Sequence, residues 1–459
     1  MQGNIVTCDT LIIGGGPGGY SLAASESAKG RKVVLIEKNH LGGTCLNRGC
    51  IPTKCLCATA SALAAARSGA ALGVGGTAGA TLDIDAAREH KNKTVEGLRA
   101  DIASLLSGCT VVSDVARFDE SGRVVAGDNV YEAARTVIAT GSRPAVLPIP
   151  GAELCADSDA MLGLDSVPES LCVIGGGVIG LELASAYADF GSQVSVIEFL
   201  PEILPAFDAD IARRLRSMLQ RRGIRITTGA AAQSVTEEPG GKRRVTYTSR
   251  GKEQSVVADV VLMATGRTPV VPKGAECAGI ELDRRGRIVT APVTFATTRP
   301  GVFAIGDCAG TLPMLAHVAE AQATILATTD FTGTPSADSK NNALPDLGHI
   351  PSVIYSRPEA FSTGLTESSA REAGHEVIVR KLPVAANGYA RAIGHADGLL
   401  KTVTDAATGR ILGIHYAGPA ADTLIGEAHL AVTLGLTSAQ INRTIHPHPT
   451  LTELLPPTL

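Results

Sequence analysis

Tryptophan, a strong net charge and long apolar runs are all missing from this sequence. The lack of tryptophan decides nothing, but a formal net charge of only −4 gives no reason to expect nucleic acid or an anionic membrane as a partner. The N-terminus has no basic region followed by an apolar segment, so we expect no secretory signal. No apolar run reaches about 18 residues, so we expect no membrane span and a cytoplasmic location.

The residues that are present predict a multidomain protein. A chain of 459 residues is too long for one core, which suggests two to four domains, and its 51 glycines suit phosphate loops and tight turns. Ten cysteines in such a chain do not indicate a disulfide scaffold. Six of them stand singly and are expected to pack as small hydrophobic residues: Cys8, Cys109, Cys155, Cys172, Cys277 and Cys308.

Two stretches repeat one pattern of strand, glycine-rich turn, helix and strand. The G-x-G-x-x-G turns lie at 14–19 and 175–180, each after a short apolar run. An acidic residue, Glu37 or Glu198, follows the last glycine by 18 positions in both copies. One such turn is a weak signal, but two matched copies predict two βαβ dinucleotide-binding units.

The chemistry of these units follows from their residue types. Glycines let backbone amides approach a pyrophosphate, whose charge the helix N-terminus favours. Glu37 and Glu198 can each accept hydrogen bonds from an adenosine ribose. A 2′-phosphate would meet the like charge of Glu198, and no arginine follows within 199–210, so the second unit favours NAD over NADP.

Cys45 and Cys50 lie between the two units with four residues separating them. Helical or turn backbone can bring such side chains together in a local disulfide. A short, locally strained loop is easier to reduce than a long structural bridge. With dinucleotide units on either side, the pair predicts a flavin enzyme that passes electrons between a nicotinamide and a dithiol.

The segment 45–54, Cys-Leu-Asn-x-Gly-Cys-Ile-Pro-Thr-Lys, resembles the redox-active disulfide segment of the pyridine nucleotide-disulfide oxidoreductases. Within that family it is most similar to members that oxidise dihydrolipoamide, and the resemblance runs from about residue 9 to 453. It implies an α/β fold of two Rossmann-like dinucleotide-binding domains and an α+β C-terminal dimerisation domain. The implied domains are 1–145 (FAD, first part), 146–270 (NAD), 271–340 (FAD, second part) and 341–459 (interface), with a polar linker at 334–347.

The resemblance also implies the cofactors, FAD and NAD, and their binding residues. Lys54 would lie beside the flavin, paired with Glu182. The residues implied for FAD are Gly14, Gly16, Gly19, Glu37, Gly43, Thr44, Lys54, Ala116 (adenine side), Gly141, and Asp307 and Ala316 (ribityl chain and ring). Those implied for NAD are Gly175, Gly177, Gly180, Glu182, Glu198 and Gly266; the glycines at 141 and 266 end two matching Ala-Thr-Gly segments.

The roles of the thiols and of a base are likewise implied by the resemblance. Cys50 would face the flavin, and Cys45 would exchange with the substrate disulfide. Thiolates are the reactive forms, so a base must take protons from the incoming dithiol. The segment 446–453 resembles the family's histidine motif, which makes His448 that base and Glu453 the residue that orients it. His446 remains an alternative base or a hydrogen-bonded loop histidine; a metal site is not expected.

Two departures from the family stand out. Cys55 and Cys57 replace the usual small and aliphatic residues; we expect them to pack, with sensitivity to oxidation or soft metals as the alternative. Where the family continues with another helical segment, residues 454–459 include two prolines, which we do not expect to extend a helix.

The function implied is that of a homodimeric flavoenzyme that oxidises protein-bound dihydrolipoamide and reduces NAD. Its partner would be a lipoyl-bearing protein, either a 2-oxo acid dehydrogenase acyltransferase core or a glycine cleavage H protein, and His448 would come from the other subunit. The alternatives are a glutathione or mercuric reductase, which Glu198 and the lack of a terminal cysteine pair disfavour, or a low-turnover flavin redox sensor.

Overall fold

The computed structural model describes residues 4–334 and 344–458. Most of the polar linker predicted at 334–347, including the domain boundary at 340–341, lies outside the described residues. The chain divides into two compact units. Unit 1 comprises Met1–Pro52, Glu89–Pro144 and Arg267–Leu347, and unit 2 comprises Thr53–Arg88, Ala145–Gly266 and Gly348–Leu459.

The strands are short, as expected for α/β domains. They are β1 (Asn4–Ile13), β2 (Val33–Glu37), β3 (Thr110–Ser113), β4 (Arg117–Phe118), β5 (Val124–Ala126), β6 (Asn129–Ile138), β7 (Ser142–Pro144), β8 (Ser170–Ile174), β9 (Gln193–Ile197), β10 (Arg225–Thr227), β11 (Ala230–Glu237), β12 (Arg243–Ser249), β13 (Lys252–Ala258), β14 (Val260–Met263), β15 (Arg267–Pro269), β16 (Val302–Ala304), β17 (Ser352–Ile354), β18 (Glu359–Gly364), β19 (Val377–Pro383), β20 (Leu399–Asp405) and β21 (Ile411–Gly418).

The helices range from one turn to six. They are α1 (Pro17–Ala28), α2 (Gly43–Arg48), α3 (Cys50–Ser68), α4 (Ile84–Leu105), α5 (Ser158–Met161), α6 (Val178–Phe190), α7 (Ala209–Arg221), α8 (Ala316–Thr329), α9 (Glu367–Glu372), α10 (Gly388–Ala392), α11 (Ala421–Thr433), α12 (Ser438–Asn442) and α13 (Leu455–Thr458).

Unit 1 is built on a seven-stranded sheet in the order β3-β2-β1-β6-β5-β4, with β16 also paired to β6, and it also holds the two-stranded antiparallel sheet β15-β7. Strands β1, β2, β3, β6 and β16 are mutually parallel, whereas β4 and β5 pair antiparallel. The carboxyl-terminal ends of β1 and β6 are buried because both faces of the sheet are covered. Helices α1 and α8 pack on one face through residues such as Leu22 and Leu326, and segments that include Phe118 and Ala275 pack on the other. The first glycine-rich turn follows β1, at the carboxyl edge where ligands bind in such folds.

Unit 2 holds three sheets. The four-stranded parallel sheet β10-β9-β8-β14 carries the second glycine-rich turn after β8, and a three-stranded antiparallel sheet, β11-β12-β13, adjoins it in sequence. The five-stranded antiparallel sheet β17-β18-β21-β20-β19 belongs to the C-terminal region. Helix α11 packs on this last sheet through Leu424, Ala428 and Val432, and Phe361 and Tyr416 stack at 5.5 Å in its core.

Two helices differ from expectation for local reasons. The sequence predicts a helix over residues 91–107, but α4 begins at Ile84 because the Asp83 carboxylate caps it by accepting a hydrogen bond from the Ala86 amide at 3.0 Å. The two terminal prolines lie within helix α13, contrary to prediction. They occupy its second and third positions, where first-turn amides have no intrahelical acceptor and the missing N–H costs nothing.

One stretch, Gly43–Leu72, is long and apolar enough by composition to cross a membrane, although the sequence predicted none. It comprises α2, α3 and a terminal turn rather than one uninterrupted helix. Leu56, Ala60 and Leu63 of α3 pack into the core of unit 2, as the apolar face of a core helix does.

Candidate active site

The first glycine-rich turn is held at the end of β2 by Glu37. Its carboxylate accepts hydrogen bonds from the amides of Gly15, at 2.7 Å, and Asn39, at 2.8 Å. A carboxylate offers about four acceptor positions, so two remain for the hydroxyls of a ribose. The strand end and the glycine loop therefore form one acceptor surface in unit 1.

The second turn repeats this arrangement in unit 2. The buried Glu198 carboxylate accepts hydrogen bonds from the amides of Gly176 and Leu200, the latter at 2.6 Å. Each carboxylate oxygen keeps further lone pairs that can accept hydrogen bonds from a ribose, whereas a 2′-phosphate would meet a like charge there.

Both turns fit a dinucleotide pyrophosphate. The helices that follow, α1 and α6, have Gly16 and Gly177 as their N-cap residues, so no side chain caps their first amides. An added Cβ at Gly177 would meet no described residue within 4 Å, and at Gly16 the nearest atom would be Gly43 Cα at 3.9 Å. Because helix N-termini favour negative charge, this space suits phosphate groups.

The redox segment packs directly on the first turn. The Gly42 amide donates to the Gly15 carbonyl at 2.8 Å, and Gly43 adopts a φ of +57°. A Cβ at position 43 would lie 2.6 Å from Gly16 Cα, so a side chain there would force the two loops apart. Gly43 and its neighbour Thr44 thus lie beside the amides that face the phosphate space.

Gly49 folds the chain back between the two cysteines. Cys45 lies in α2 and Cys50 is the first residue of α3. A Cβ on Gly49 would approach the Thr44 carbonyl oxygen to 2.9 Å and Cys45 Cα to 3.4 Å. The close approach available to glycine therefore brings the start of α3 back onto α2, and both cysteines are half-buried.

Lys54 and Glu182 are in direct contact in unit 2. Lys54 Nζ lies 2.8 and 3.0 Å from the two Glu182 carboxylate oxygens, and Glu182 is buried. Tyr355, which sequence reasoning missed, holds both partners. Its amide donates to Glu182 at 2.9 Å, and its ring centroid lies 4.6 Å from Lys54 Nζ, within cation–π range. Burial raises the pKa of the Tyr355 hydroxyl.

The other residues expected at FAD lie in unit 1. Asp307 follows β16 and accepts a hydrogen bond from the Ser142 hydroxyl at 2.5 Å. Ala316 is the first residue of α8, and Ala116 is buried in the core beside β4. Gly141 likewise belongs to unit 1, whereas its counterpart Gly266 closes a segment of unit 2.

His448 has the arrangement of an oriented base. Its Nδ1 lies 2.9 Å from Glu453 Oε1, and the other Glu453 oxygen accepts the Thr450 amide at 2.8 Å. That amide, together with His448, lowers the pKa of the Glu453 carboxyl. The His448 side chain is 81% exposed, and its Nε2 has no hydrogen bond to any described residue. One nitrogen is therefore fixed and the other is available.

His446 lacks that availability. Its Nε2 lies 2.7 Å from Glu427 Oε1 and its Nδ1 lies 3.2 Å from the Thr444 carbonyl oxygen, and its side chain is 8% exposed. Both nitrogens thus face acceptors within the loop region and the ring is largely buried, so neither nitrogen is open to a substrate. Between the two alternatives, this geometry favours His448 as the base and His446 as a loop-holding residue.

The remaining cysteines mostly behave as expected. Cys55 and Cys57 are buried, and burial raises the pKa of the Cys57 thiol to about 12, which disfavours the reactive thiolate. Cys172 and Cys308 are buried, and Cys8, Cys109 and Cys155 are half-buried. Cys277 is exposed, so the prediction that it packs as a hydrophobe is wrong. Within 4–334 and 344–458, no group of three or more potential ligands could hold a metal ion.

Comparison with known sequences identifies the family. The family described as pyridine nucleotide-disulphide oxidoreductase matches residues 8–323, and its dimerisation domain matches 350–458. The chain belongs to this family. The fold class expected from the sequence is confirmed, the cofactors are FAD and NAD, and the dimerisation domain supports a homodimer.

Individual relatives extend this result. The chain is 39% identical to a dihydrolipoyl dehydrogenase of Thermus scotoductus over 97% of this chain and 95% of that protein. It is 38% identical to one of Geobacillus stearothermophilus over 98% and 95%, respectively. A solved structure titled as the Cu(II) complex of the HOCl-induced flavoprotein disulfide reductase RclA from Escherichia coli is similar, with a TM-score of 0.84, 29% identity, and 97% and 98% of the two chains covered.

Proposed function

We propose that this oxidoreductase is an NAD-dependent dihydrolipoyl dehydrogenase that oxidises protein-bound dihydrolipoamide. Its relatives of that name align over nearly the whole chain. The structural observation that carries the proposal is the exposed His448 imidazole, oriented by Glu453 and open at Nε2. A dithiol substrate needs such a base, and a substrate on a lipoyl arm needs it at an accessible surface.

The first step moves a proton and exchanges a disulfide. His448 Nε2 accepts a proton from one substrate thiol, and the resulting thiolate attacks Cys45 Sγ in the Cys45–Cys50 disulfide. The sulfur–sulfur bond breaks and Cys50 leaves as a thiolate. Glu453 holds the ring at Nδ1 and stabilises the positive charge that His448 acquires.

The second step releases the oxidised substrate. The remaining substrate thiol gives its proton to the departing Cys45 sulfur while its own sulfur closes the lipoamide disulfide. The protein is left with two reduced cysteines. FAD held by the first glycine-rich loop would supply the redox chemistry that connects this cysteine pair to NAD. Glu198 contributes by binding the NAD ribose, with its carboxylate already fixed by two amides.

The partner that we propose is a lipoyl-bearing protein, either the acyltransferase core of a 2-oxo acid dehydrogenase complex or a glycine cleavage H protein. In the proposed homodimer, His448 acts on the dithiol segment of the other subunit. This assignment draws on the family resemblance and on the dimerisation domain that contains His448.

Parallel steady-state assays test the activity. Dihydrolipoamide with NAD should be turned over faster than glutathione disulfide or mercuric ion with NADPH. A faster reaction in either of the last two assays would contradict the proposal, and negligible turnover in all three would favour a redox sensor.

Hybrid dimers test the sharing of the site. Cys45→Ser and His448→Gln chains should each be inactive with dihydrolipoamide, while both pass electrons from NADH to an artificial acceptor. Mixing them should restore partial activity, because one site of a mixed dimer holds both intact groups. Confirmed subunit exchange without recovery would show that the site is built within one chain.

A further inference from the structure

Asn47 closes the turn that presents Cys45 and Cys50 in unit 1. It stands two residues after Cys45 and three before Cys50. Its side-chain amide donates to the Leu41 carbonyl at 2.9 Å and to the Gly43 carbonyl at 2.8 Å. The bond to Leu41 ties α2 to the loop that precedes it, and the bond to Gly43 holds the first turn of α2, so the conformation around Cys45 depends on the Asn47 side chain.

The amide of Asn47 is itself held by Arg99, in the middle of α4. Arg99 Nε and Nη2 lie 3.1 and 2.8 Å from Asn47 Oδ1. Arginine can only donate and a carbonyl can only accept, so the neighbours fix which way the amide points. A guanidinium bond is charge-assisted and polarises the amide, which strengthens both of its N–H donors.

The Arg99 guanidinium interacts with the Asn47 side-chain amide. Among the described residues its guanidinium forms no ion pair, and its hydrogen bonds go to Asn47. Both side chains are half-buried, which keeps the bond less screened than one at an open surface. Because Arg99 is 52 positions from Asn47, it anchors the redox turn to a different part of unit 1.

We propose that Arg99 is a positioning residue for the thiol–disulfide step. Through Asn47 it holds the α2 turn in the geometry from which Cys45 and Cys50 close their disulfide. Closure requires a narrow range of backbone geometry, so a looser turn spends less time in a closable arrangement. The inference rests on the proposed function, since it presumes that these two cysteines cycle.

The test measures the disulfide equilibrium of the FAD-loaded protein. Purified Arg99→Gln and unmodified protein are equilibrated without oxygen in glutathione buffers. One glutathione disulfide takes two electrons and two protons from the cysteine pair, yielding two glutathione molecules and the protein disulfide. Alkylation and mass spectrometry give the fraction closed. We expect Arg99→Gln to lower the equilibrium constant for closure about three- to tenfold, since one charge-assisted hydrogen bond is weakened.

A second readout separates positioning from general loss of structure. Dihydrolipoamide turnover should fall in Arg99→Gln, while electron transfer from NADH to an artificial acceptor, which bypasses the dithiol, should not. In an Asn47→Ala background, adding Arg99→Gln should change neither quantity further, because the contact through which it acts is already gone. Lys93→Gln removes a like charge from an exposed site on the same helix and should match the unmodified protein.

The outcomes distinguish failure of the proposed function from failure of the role proposed for Arg99. If the unmodified protein forms no reversible Cys45–Cys50 disulfide, the proposed function fails. If it does, and Arg99→Gln matches Lys93→Gln, the role of Arg99 is overturned. If Arg99→Gln does not fold, Arg99→Lys provides the test instead. Lysine keeps the charge but lacks the planar guanidinium, so the equilibrium constant for disulfide closure must fall partially. An unchanged constant in Arg99→Lys would then overturn the inference.

Discussion

Glu37 in the first dinucleotide module and Glu198 in the second hold their glycine loops by the same pair of backbone hydrogen bonds. The loops agree elsewhere as well. A Cβ at Gly14 or at Gly175 would lie 2.3 Å from the carbonyl oxygen of the facing Ala-Thr-Gly segment. Each module thus fixes its loop from two sides, by an acid and by a strand end.

The modules differ in what surrounds the loop. In the first, the redox segment packs on it, with Gly43 against Gly16, and the Thr140 hydroxyl is bonded to the Val270 carbonyl. In the second, a Cβ at Gly177 would meet no described residue within 4 Å, and the buried Thr265 hydroxyl has no hydrogen-bond partner in the described chain. The middle glycine of the motif is therefore covered in the first module and open in the second. The glycine before it is packed in both, since the Leu204 amide donates to the Gly176 carbonyl at 3.1 Å.

This difference matches the two cofactors. A covered loop suits FAD, which stays bound through many turnovers, whereas an open loop suits NAD, which must enter and leave. The glycine-rich loop and its acidic residue determine that a dinucleotide binds, and the segment around the loop determines how readily that dinucleotide exchanges.

The largest effect is expected from Gly19→Ala, compared with Gly180→Ala. The added Cβ would lie 1.9 Å from the Gly14 carbonyl oxygen in the first case and 2.2 Å from the Gly175 carbonyl oxygen in the second. Since neither backbone can yield cheaply, Gly19→Ala should abolish FAD binding. Gly180→Ala should keep FAD and lose NAD-dependent turnover. Flavin absorbance per chain and NADH binding measure the two losses.

Gly97→Ala serves as the control for these variants. Gly97 lies within α4, and its Cβ would meet nothing within 4 Å, so this change should leave both cofactors unaffected. Loss of FAD in Gly180→Ala would show that the two modules do not bind their cofactors independently.

The next effect concerns the acids. Glu198→Gln replaces one acceptor by an amide N–H, which then faces a backbone donor, and removes the charge that favours ribose over its 2′-phosphate. We expect kcat/KM for NAD to fall about 10- to 100-fold, the size of a lost charged hydrogen bond. Discrimination against NADP should weaken while FAD content is unchanged. Glu37→Gln should do the reverse, lowering FAD content.

Equal kcat/KM for NAD and NADP in the unmodified protein would show that Glu198 does not select the nucleotide. Unchanged NAD kinetics in Glu198→Gln would limit the carboxylate to holding Gly176 and Leu200. The two measurements therefore separate ribose binding from loop support.

The sequence predicted the features that depend on local spacing. The two modules were predictable because glycine positions, strand ends and acids recur at fixed intervals within about forty residues. Tyr355 could not be found in this way, because it lies 173 positions from Glu182 and only tertiary packing brings them together. Arg99 and its partner Asn47 are a similar case. The Asp83 cap was a local signal that was missed, since Asp before a helix is a common start.

A smaller effect is expected where the redox segment packs on the first glycine-rich loop. Gly43→Ala would place its Cβ 2.6 Å from Gly16 Cα and should lift the redox segment from the loop, weakening FAD affinity about tenfold, as the loss of one good contact does. Gly177→Ala creates no clash with described residues, so its stability should be normal. Its NADH affinity should fall, because the methyl group occupies space meant for the pyrophosphate. Equilibrium binding measures both changes.

If Gly177→Ala binds NADH as tightly as the unmodified protein, the nucleotide does not approach that glycine and the open-loop interpretation fails. Faster FAD release without weaker FAD binding in Gly43→Ala would show that the redox segment controls how fast FAD exchanges and not how tightly it binds.

The smallest effect separates the two units by pH. His415 in unit 2 is fully buried; its Nε2–H donates to the Leu365 carbonyl at 3.0 Å, and its Nδ1 accepts from the Ser362 hydroxyl at 2.7 Å. Burial lowers its pKa from 6.5 to about 4, with Lys401 acting in the same direction and Asp208 opposing it. The histidines described in unit 1 are all exposed: His40, His90 and His317.

The lowered pKa of His415 determines whether acid stabilises or destabilises unit 2. The folded-state pKa lies below the unfolded value, so the unfolded chain binds the proton more readily between pH 6.5 and 4. The contribution of His415 is fully present above pH 6.5 and is lost as the pH falls towards 4. At pH 5.5 the loss of this contribution should lower the free energy of unfolding by about 1 kcal/mol. Denaturant titrations at pH 7.5 and 5.5, followed by hydrogen exchange, should assign the loss to unit 2.

His415→Gln tests the origin of this acid sensitivity. The variant can lower stability at every pH, because a buried hydrogen-bonded ring is replaced, yet the difference between pH 7.5 and 5.5 should shrink. His90→Gln, at an exposed site of unit 1, should leave that difference unchanged. An unaltered pH dependence in His415→Gln would assign the titration to another group. Equal losses in both units would show that acid does not distinguish the part holding the open module from the part holding the covered one.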